Sequence, residues 1–147
     1  MTYYERFAPT AADQRLVELL SEKEISKVVG VCYGFPYVLK LLKGAGKDVY
    51  LAGIYPVQLL EAGYKRYDYS FKPDAVIIDE LAFNNSETVE CIERLKDHGV
   101  EAAYVLSVEG RVTGGEGINP VLTCEDGSAI YTVDLLPPRI KEAELND

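Results

Sequence analysis

A chain of 147 residues with 48% hydrophobic and 27% charged residues is long enough to bury one continuous core and too ordinary in composition to be disordered or fibrous, so one domain over residues 1–147 is expected. The 24 acidic against 15 basic residues leave a net charge of −9; without a cluster of Lys and Arg to offset it, this repels phosphate backbones and argues against nucleic acid as the main partner. No apolar run approaches the roughly 20 residues of a membrane span, and the opening MTYYERFAPT lacks the basic-then-apolar order of a signal peptide, so a cytoplasmic chain with no membrane partner is expected.

The first predicted element is an amphipathic helix over residues 10–23, where Leu16, Val17, Leu19 and Leu20 share one side and Thr10, just after Pro9, stands at the N-cap. A β-branched run over 25–31 predicts a strand buried on both faces, ended by Gly34 and Pro36 before a helix over 37–43 that Gly44 and Gly46 stop. A second strand is predicted over 48–54, then a short helix over 57–62 with Pro56 at its start and Gly63 at its end. The tyrosine-rich link YKRYDYSF leads to Pro73, Asp74 and an apolar strand over 75–78 that ends in Asp79 and Glu80. Ser86 is the predicted cap of a helix presenting Val89, Ile92 and Leu95 to the core and closing at His98 and Gly99; a fourth strand follows over 100–108. The glycine-rich stretch GRVTGGEGINP reads as a flexible connection, since no Lys-Ser or Lys-Thr follows to make a phosphate loop. Beyond it, VLTC and SAIYTVDL are joined through Glu125, Asp126 and Gly127, an Asp-Gly pair suited to a tight hairpin turn. The closing PPRIKEAELND is charged and is expected to fray or dock on a partner.

Strands separated by helices run parallel through right-handed crossovers, so the predicted class is α/β: a three-layer Rossmann-like sandwich, mostly parallel, with a C-terminal antiparallel hairpin. Ligands of such sheets bind at the carboxyl ends of the strands where the winding reverses, which points to residues 32–36, 53–56 and 79–86.

The runs KVVGVCYGFPYVLKLL, DVYLAGIYPVQLLEAG, KPDAVIIDE and ETVECIERLKDHGVEAAYVLS, in that order and spacing over residues 3–108, resemble the core of the S-adenosylmethionine-dependent methyltransferase fold. The resemblance implies S-adenosylmethionine as cofactor, with no metal indicated, a glycine-rich first loop that lets the backbone approach it, and an acid ending the second strand that binds the ribose. This chain carries Gly30 and Gly34 in the first loop beside Cys32, Phe35 and Pro36, and Gly53 rather than an acid at the second strand's end. The implied protein is therefore a small-ligand, nucleotide-like binder of methyltransferase-like fold, either a divergent or inactive methyltransferase or one with another ligand. If enzymatic, methyl transfer would draw mainly on binding and orientation.

A second resemblance, to phosphoribosyltransferases, lies in AVIIDELAFNNSETVECIERLKDHGVEAAYVLSVEGR, where Asp79 and Glu80 match the acidic pair that contacts ribose. In place of a phosphate loop stand Phe83, Asn84, Asn85, Ser86 and Glu87, the last with a charge that opposes phosphate; and the helix predicted over 57–62 is a poor match for the flexible loop that this resemblance implies.

The candidate catalytic residues are Asp79 and Glu80, carboxylates beside a buried strand that can act as ligand or general base, against their reading as a solvated strand end. Gly30, Cys32, Gly34, Gly53 and Tyr55 are candidate cofactor contacts, joined by Asn84, Asn85 and Ser86 as hydrogen-bonding groups at a helix start or simply an Asn-rich capping turn. His98, the sole histidine, lies at the wrong end of its helix for the ligand edge, which removes the usual parts of hydrolytic triads. Cys32, Cys91 and Cys124 lack metal-like pairing and read as small core residues rather than as nucleophiles, a disulfide or a zinc site. Tyr64, Tyr67 and Tyr69 fit a lid, a stacking platform, a half-buried strand or a subunit contact equally well. The last reading gives a third hypothesis, a non-catalytic assembly module or homo-oligomer that joins copies through this surface and the hairpin.

Overall fold

The computed structural model describes residues 10–31, 36–55, 57–79, 86–108 and 117–135. The first helix, α1 (Ala11–Glu22), starts at the predicted cap: Thr10 Oγ1 accepts from the Asp13 amide at 3.2 Å, and Asp13 Oδ2 accepts from the Thr10 amide at 2.9 Å. Strand β1 (Lys27–Val31) follows, then α2 (Pro36–Gly44), β2 (Asp48–Ala52) and the short helix α3 (Val57–Glu61). Two residues, Lys65–Arg66, form β3, and β4 (Ala75–Asp79), α4 (Ser86–Asp97) and β5 (Ala102–Ser107) complete the alternation. The hairpin is β6 (Ile118–Thr123) and β7 (Ala129–Asp134), closed where predicted, with Gly127 at φ +89° after Asp126.

These strands form one sheet in the order β3-β2-β1-β4-β5-β7-β6. Strands β1 to β5 pair in parallel, and β7 runs antiparallel to both β5 and β6, so β7 alone is reversed and β6 points with the majority. Alternate side chains of the central strands separate the core into two. On one face Val28, Val49, Leu51, Ile77 and Ile130 meet Leu16 and Leu20 of α1, Leu39 and Leu42 of α2, and Leu59 of α3. On the other, Val29, Val31, Val76, Ile78 and Val105 meet Cys91 and Leu95 of α4. The α/β, three-layer, mostly parallel arrangement expected from the sequence is the observed one.

Three expectations are corrected. The tyrosine-rich stretch is not wholly a link, because Lys65 and Arg66 pair with Tyr50 and Leu51 as an edge strand; both are exposed, so no apolar pattern announced them. Strand β6 begins at Ile118, inside the supposed flexible connection, and accommodates Pro120 because an edge position leaves its missing N–H unneeded. Strand β2 stops at Ala52 rather than Ile54, because Gly53 turns the chain at φ +78°.

The crossover from β3 to β4 must pass β2 and β1, yet residues 67–74 contain no helix and fall short of the dozen or so residues such a connection normally takes. Aromatic rings cover the sheet instead. Tyr67 and Phe71 centroids lie 5.2 Å apart, and Tyr50 lies 4.8 Å from Phe71, both pairs edge-on; the Tyr67 hydroxyl donates to the Phe71 carbonyl. Asp74 then seats β4 beside β1: its Oδ2 accepts from the Ser26 and Lys27 amides at 3.0 and 2.9 Å, while its own amide donates to the Lys27 carbonyl at 2.8 Å.

Candidate ligand edge and an adjoining cleft

The strand order reverses between β1 and β4, the point where open sheets of this kind hold ligands. Their ends are level: Val31 pairs with Ala52 on one side and with Ile78 on the other, and Asp79 with Leu106. The carboxyl edge thus gathers Gly53 and Tyr55 after β2, Asp79 at the end of β4, and Ser86 at the start of α4. Ser86 is the first helical residue rather than the residue before it. Cys32, Gly34, Glu80, Asn84 and Asn85 lie outside the described residues.

The two described glycines of the candidate set have different roles in the backbone. A methyl group on Gly30 would sit 3.0 Å from Leu39 Cδ2, so its missing side chain admits α2 to the sheet. Gly53 has room, since a methyl group there would lie 3.6 Å from both Cys91 Sγ and Val31 Cγ1, but its positive φ makes any side chain costly. Asp79 is 1% exposed, a depth that sets it apart from an ordinary solvated strand end. Tyr55 is half-buried, and its hydroxyl accepts from Arg66 Nε at 2.8 Å.

Between the ends of β2 and β3 and the side of α4 from Glu87 to Arg94 lies a cleft of about 310 Å³, bordered by Gly53, Tyr55, Arg66, Tyr69, Glu90 and Arg94 among others. Tyr69 has φ 58°, a conformation rare for a bulky residue, and the Arg94 guanidinium carbon stands 3.8 Å above its ring centroid. Burial, and after it a hydrogen bond with the Cys91 thiol, pushes the Tyr69 phenol well above its ordinary range. Sequence reasoning assigned neither arginine to a site. The signal available was spacing, since Glu87, Cys91 and Arg94 recur at intervals of four and three residues and so share a face of α4. His98 follows the last turn of α4, its Nδ1 3.0 Å from the Arg94 carbonyl and its ring centroid 5.9 Å from that of Tyr69. Among the described residues no three His, Cys, Asp or Glu side chains group closely enough to hold a metal ion.

The edge is acidic. Asp79, Glu87, Glu90, Glu125 and Asp126 lie toward it, against Arg66 and Arg94, and Glu87 occupies the first turn of α4, where a phosphate would otherwise find helix amides. S-adenosylmethionine, a cation at sulfur, suits such a field; a phosphoribosyl diphosphate does not. At the end of β2, however, Gly53 offers no carboxylate for ribose, so that contact is not supplied there. The segment that separates the two resemblances falls with the methyltransferases, because Val57–Glu61 is a helix with Leu59 in the core.

No protein-family model matches the chain, and no curated protein matches it by sequence. Solved structures do. The magnesium protoporphyrin IX methyltransferase ChlM of Synechocystis PCC 6803, with bound S-adenosylmethionine, superimposes with a TM-score of 0.50 at 16% identity, covering 83% of this chain and 77% of that one. The Escherichia coli protein yhhF, described as a methyltransferase, gives a TM-score of 0.50 at 18% identity over 86% of this chain and 88% of its own. No helix among the described residues is long and apolar enough to cross a membrane. With its strand order, its reversed β7 and these neighbours, the chain has the Rossmann-like fold of S-adenosylmethionine-dependent methyltransferases.

Proposed function

We propose that this protein binds a small, nucleotide-like cationic ligand, S-adenosylmethionine first among candidates, at the carboxyl edge between β1 and β4. The supporting observation is the level alignment of Val31, Ala52 and Ile78 at the point where strand order reverses, on an edge rich in carboxylates. Asp79 and its neighbour Glu80 are the proposed acids of the site, with Gly53 and Tyr55 beside them, Ser86 at the start of α4, and Cys32, Gly34, Asn84 and Asn85 as further proposed contacts. When bound, S-adenosylmethionine supplies an activated methyl group, to which this chain would contribute binding and orientation. The lack of a ribose carboxylate at Gly53 supports a divergent protein, with weaker cofactor binding than a conventional contact would give.

Thermal shift with S-adenosylmethionine, S-adenosylhomocysteine and phosphoribosyl diphosphate, each with and without magnesium, tests the reading. A ligand at 100 times its dissociation constant should stabilise by about 2.7 kcal/mol. Stabilisation by the first two, diminished in Asp79→Asn, is expected. Magnesium-dependent stabilisation by phosphoribosyl diphosphate alone would replace this reading with the phosphoribosyl one, and silence from all three would leave an assembly module.

A further inference from the structure

We infer that the bond between Asp126 and Gly127, in the turn of the β6–β7 hairpin, is a site of isoaspartate formation guarded by α1, so that covalent change there marks release of that helix. It is the chain's one Asp-Gly sequence. The reaction needs no reagent but water. The Gly127 nitrogen attacks Asp126 Cγ; the N–Cγ bond forms as a Cγ–O bond breaks, and water leaves with the amide proton, closing a cyclic succinimide. Water then opens the ring at either carbonyl, restoring aspartate or leaving isoaspartate, whose main chain runs through the former side chain. Glycine puts no side chain in the path of the attacking nitrogen, and the turn is open: Asp126 is exposed, and even a methyl group added to Gly127 would meet nothing within 4 Å.

The docked helix opposes the reaction at each reacting group. The Gly127 amide is engaged, donating to the Cys124 carbonyl at 3.0 Å. Both carboxylate oxygens are engaged as well: Oδ2 accepts from the Ala11 amide at 2.8 Å, and Oδ1 accepts from the Ser128 amide at 3.0 Å and from its hydroxyl at 2.5 Å. These bonds, the one from Ala11 foremost, favour the ionised carboxylate and hold it below its ordinary range, and the ionised form cannot shed oxygen as water. Ser128 is held in turn, fully buried with its Oγ accepting from the Ala12 amide at 3.0 Å. Opening α1 withdraws the Ala11 and Ala12 amides together and leaves an exposed Asp-Gly turn without its guard. The change is then one-way. Isoaspartate carries its carboxylate directly on the α-carbon and lengthens the main chain by a methylene, so the clasp cannot close as before.

The experiment incubates the whole chain at mildly acidic pH, folded and in unfolding urea, and follows isoaspartate at position 126 by peptide mass spectrometry with electron-transfer fragmentation. The folded chain should isomerise about tenfold or more slowly than the unfolded one, because only molecules with α1 open react. Ala11→Pro removes the guarding N–H at the first helical position, where proline is well tolerated, and should speed isomerisation of the folded chain about fivefold, the equivalent of one net hydrogen bond. Ser128→Ala should do the same, and decides alone should Ala11→Pro fail to fold. Asp74→Asn, which weakens the other edge of the sheet and leaves the clasp intact, should isomerise at the wild-type rate. The purified isomerised chain should melt lower and exchange its Ala11 and Ala12 amides faster. Equal rates in the folded and unfolded chain, no acceleration in the clasp variants, as large an acceleration in Asp74→Asn, or an isomerised chain with wild-type melting and amide protection would each overturn the inference.

Discussion

Gly30 separates a packing role from a ligand role, because its surroundings give the two different signs. Adding a methyl group places carbon 3.0 Å from Leu39 Cδ2, well inside the roughly 3.5–4.0 Å of an optimal contact. Leu39 cannot swing away freely: it is fully buried on α2, among Val38, Leu42, Val28 and Leu51. Overpacking of this kind costs about 1–3 kcal/mol, offset by the roughly 0.4–1 kcal/mol that alanine gains over glycine by restricting the unfolded chain. Gly30→Ala is therefore expected to lose about 0.5–2 kcal/mol, a fall of up to roughly 8 °C in melting temperature at this chain length.

Leu39→Val supplies the control. It removes the offending carbon, costs about 1–2 kcal/mol by itself through a small cavity and a poorer helix former, and leaves the alanine methyl with space. In that background Gly30→Ala should be neutral or stabilising, so the double-mutant cycle shows a favourable coupling of about 1–2 kcal/mol. Urea unfolding of the four proteins measures it. Gly30→Ala more stable than wild type in the Leu39 background, with weakened S-adenosylmethionine binding, would refute the packing argument and assign Gly30 to the ligand.

Gly53→Ala should lose about 1–2 kcal/mol for a different reason, its φ of +78°, since nothing crowds the added methyl; a Leu39 change should not rescue it. Asp74 has its carboxyl held below the ordinary range by the Lys27 and Ser26 amides, so its contribution is present above an unfolded value of about 3.9 and is lost as pH falls through the lower folded value. Asp74→Asn should cost about 1 kcal/mol at pH 7, discounted for exposure, and flatten the loss of stability between pH 4 and 2. Asp126→Ala removes the acceptor for the Ala11 amide at 2.8 Å and should cost about 1 kcal/mol, read as a lower melting temperature at pH 7 that converges with wild type in strong acid. Asp13 works with the opposite sign, because burial raises its carboxyl: its contribution is present in acid and lost as pH rises through the folded value. Asp13→Asn, which keeps an acceptor for Thr10, should raise stability at pH 7 by up to about 1 kcal/mol.

The sequence disclosed those parts of the fold that bury apolar side chains in a regular order. The short apolar run AVII after Pro73 and Asp74 reads as a strand buried on both faces, and the structure extends it by one buried residue, Asp79; Thr10, just after Pro9 and ahead of the amphipathic run, reads as a cap, and the structure adds the reciprocal bond from Asp13. What escaped was decided by partners distant in the chain. Lys65 and Arg66 are a strand solely because β2 lies alongside, and Pro120 is in a strand because β6 is an edge. The clasp of α1 by the hairpin, in which Asp126 and Ser128 accept from the Ala11 and Ala12 amides, joins residues more than a hundred positions apart and leaves no local signature. Of the candidate site, the edge itself was legible from strand–helix alternation. Arg66 and Arg94 were not, since each stays exposed and resembles a solvated charge until Tyr55 and Tyr69 are placed against it.

That crossover links the fold to the cleft. A helix between β3 and β4 would bury the face of β2 and β1 with its own side chains and would have to extend from the end of β3, where Tyr67 now begins the link. Residues 67–74 are too few for this, so coverage falls to the rings of Tyr67, Tyr69 and Phe71, packed beside Tyr50 and Cys91. Rings supply apolar area without supplying length. The ends of β2 and β3 are therefore left facing α4 across open space, and the residues lining it are those that close this short connection: Tyr69, turned by its positive φ, with Arg94 stacked on it, and Arg66 at the last position of β3. A shortened crossover and a polar, arginine-bearing cleft are in this chain two consequences of one departure from the full helical complement of the fold.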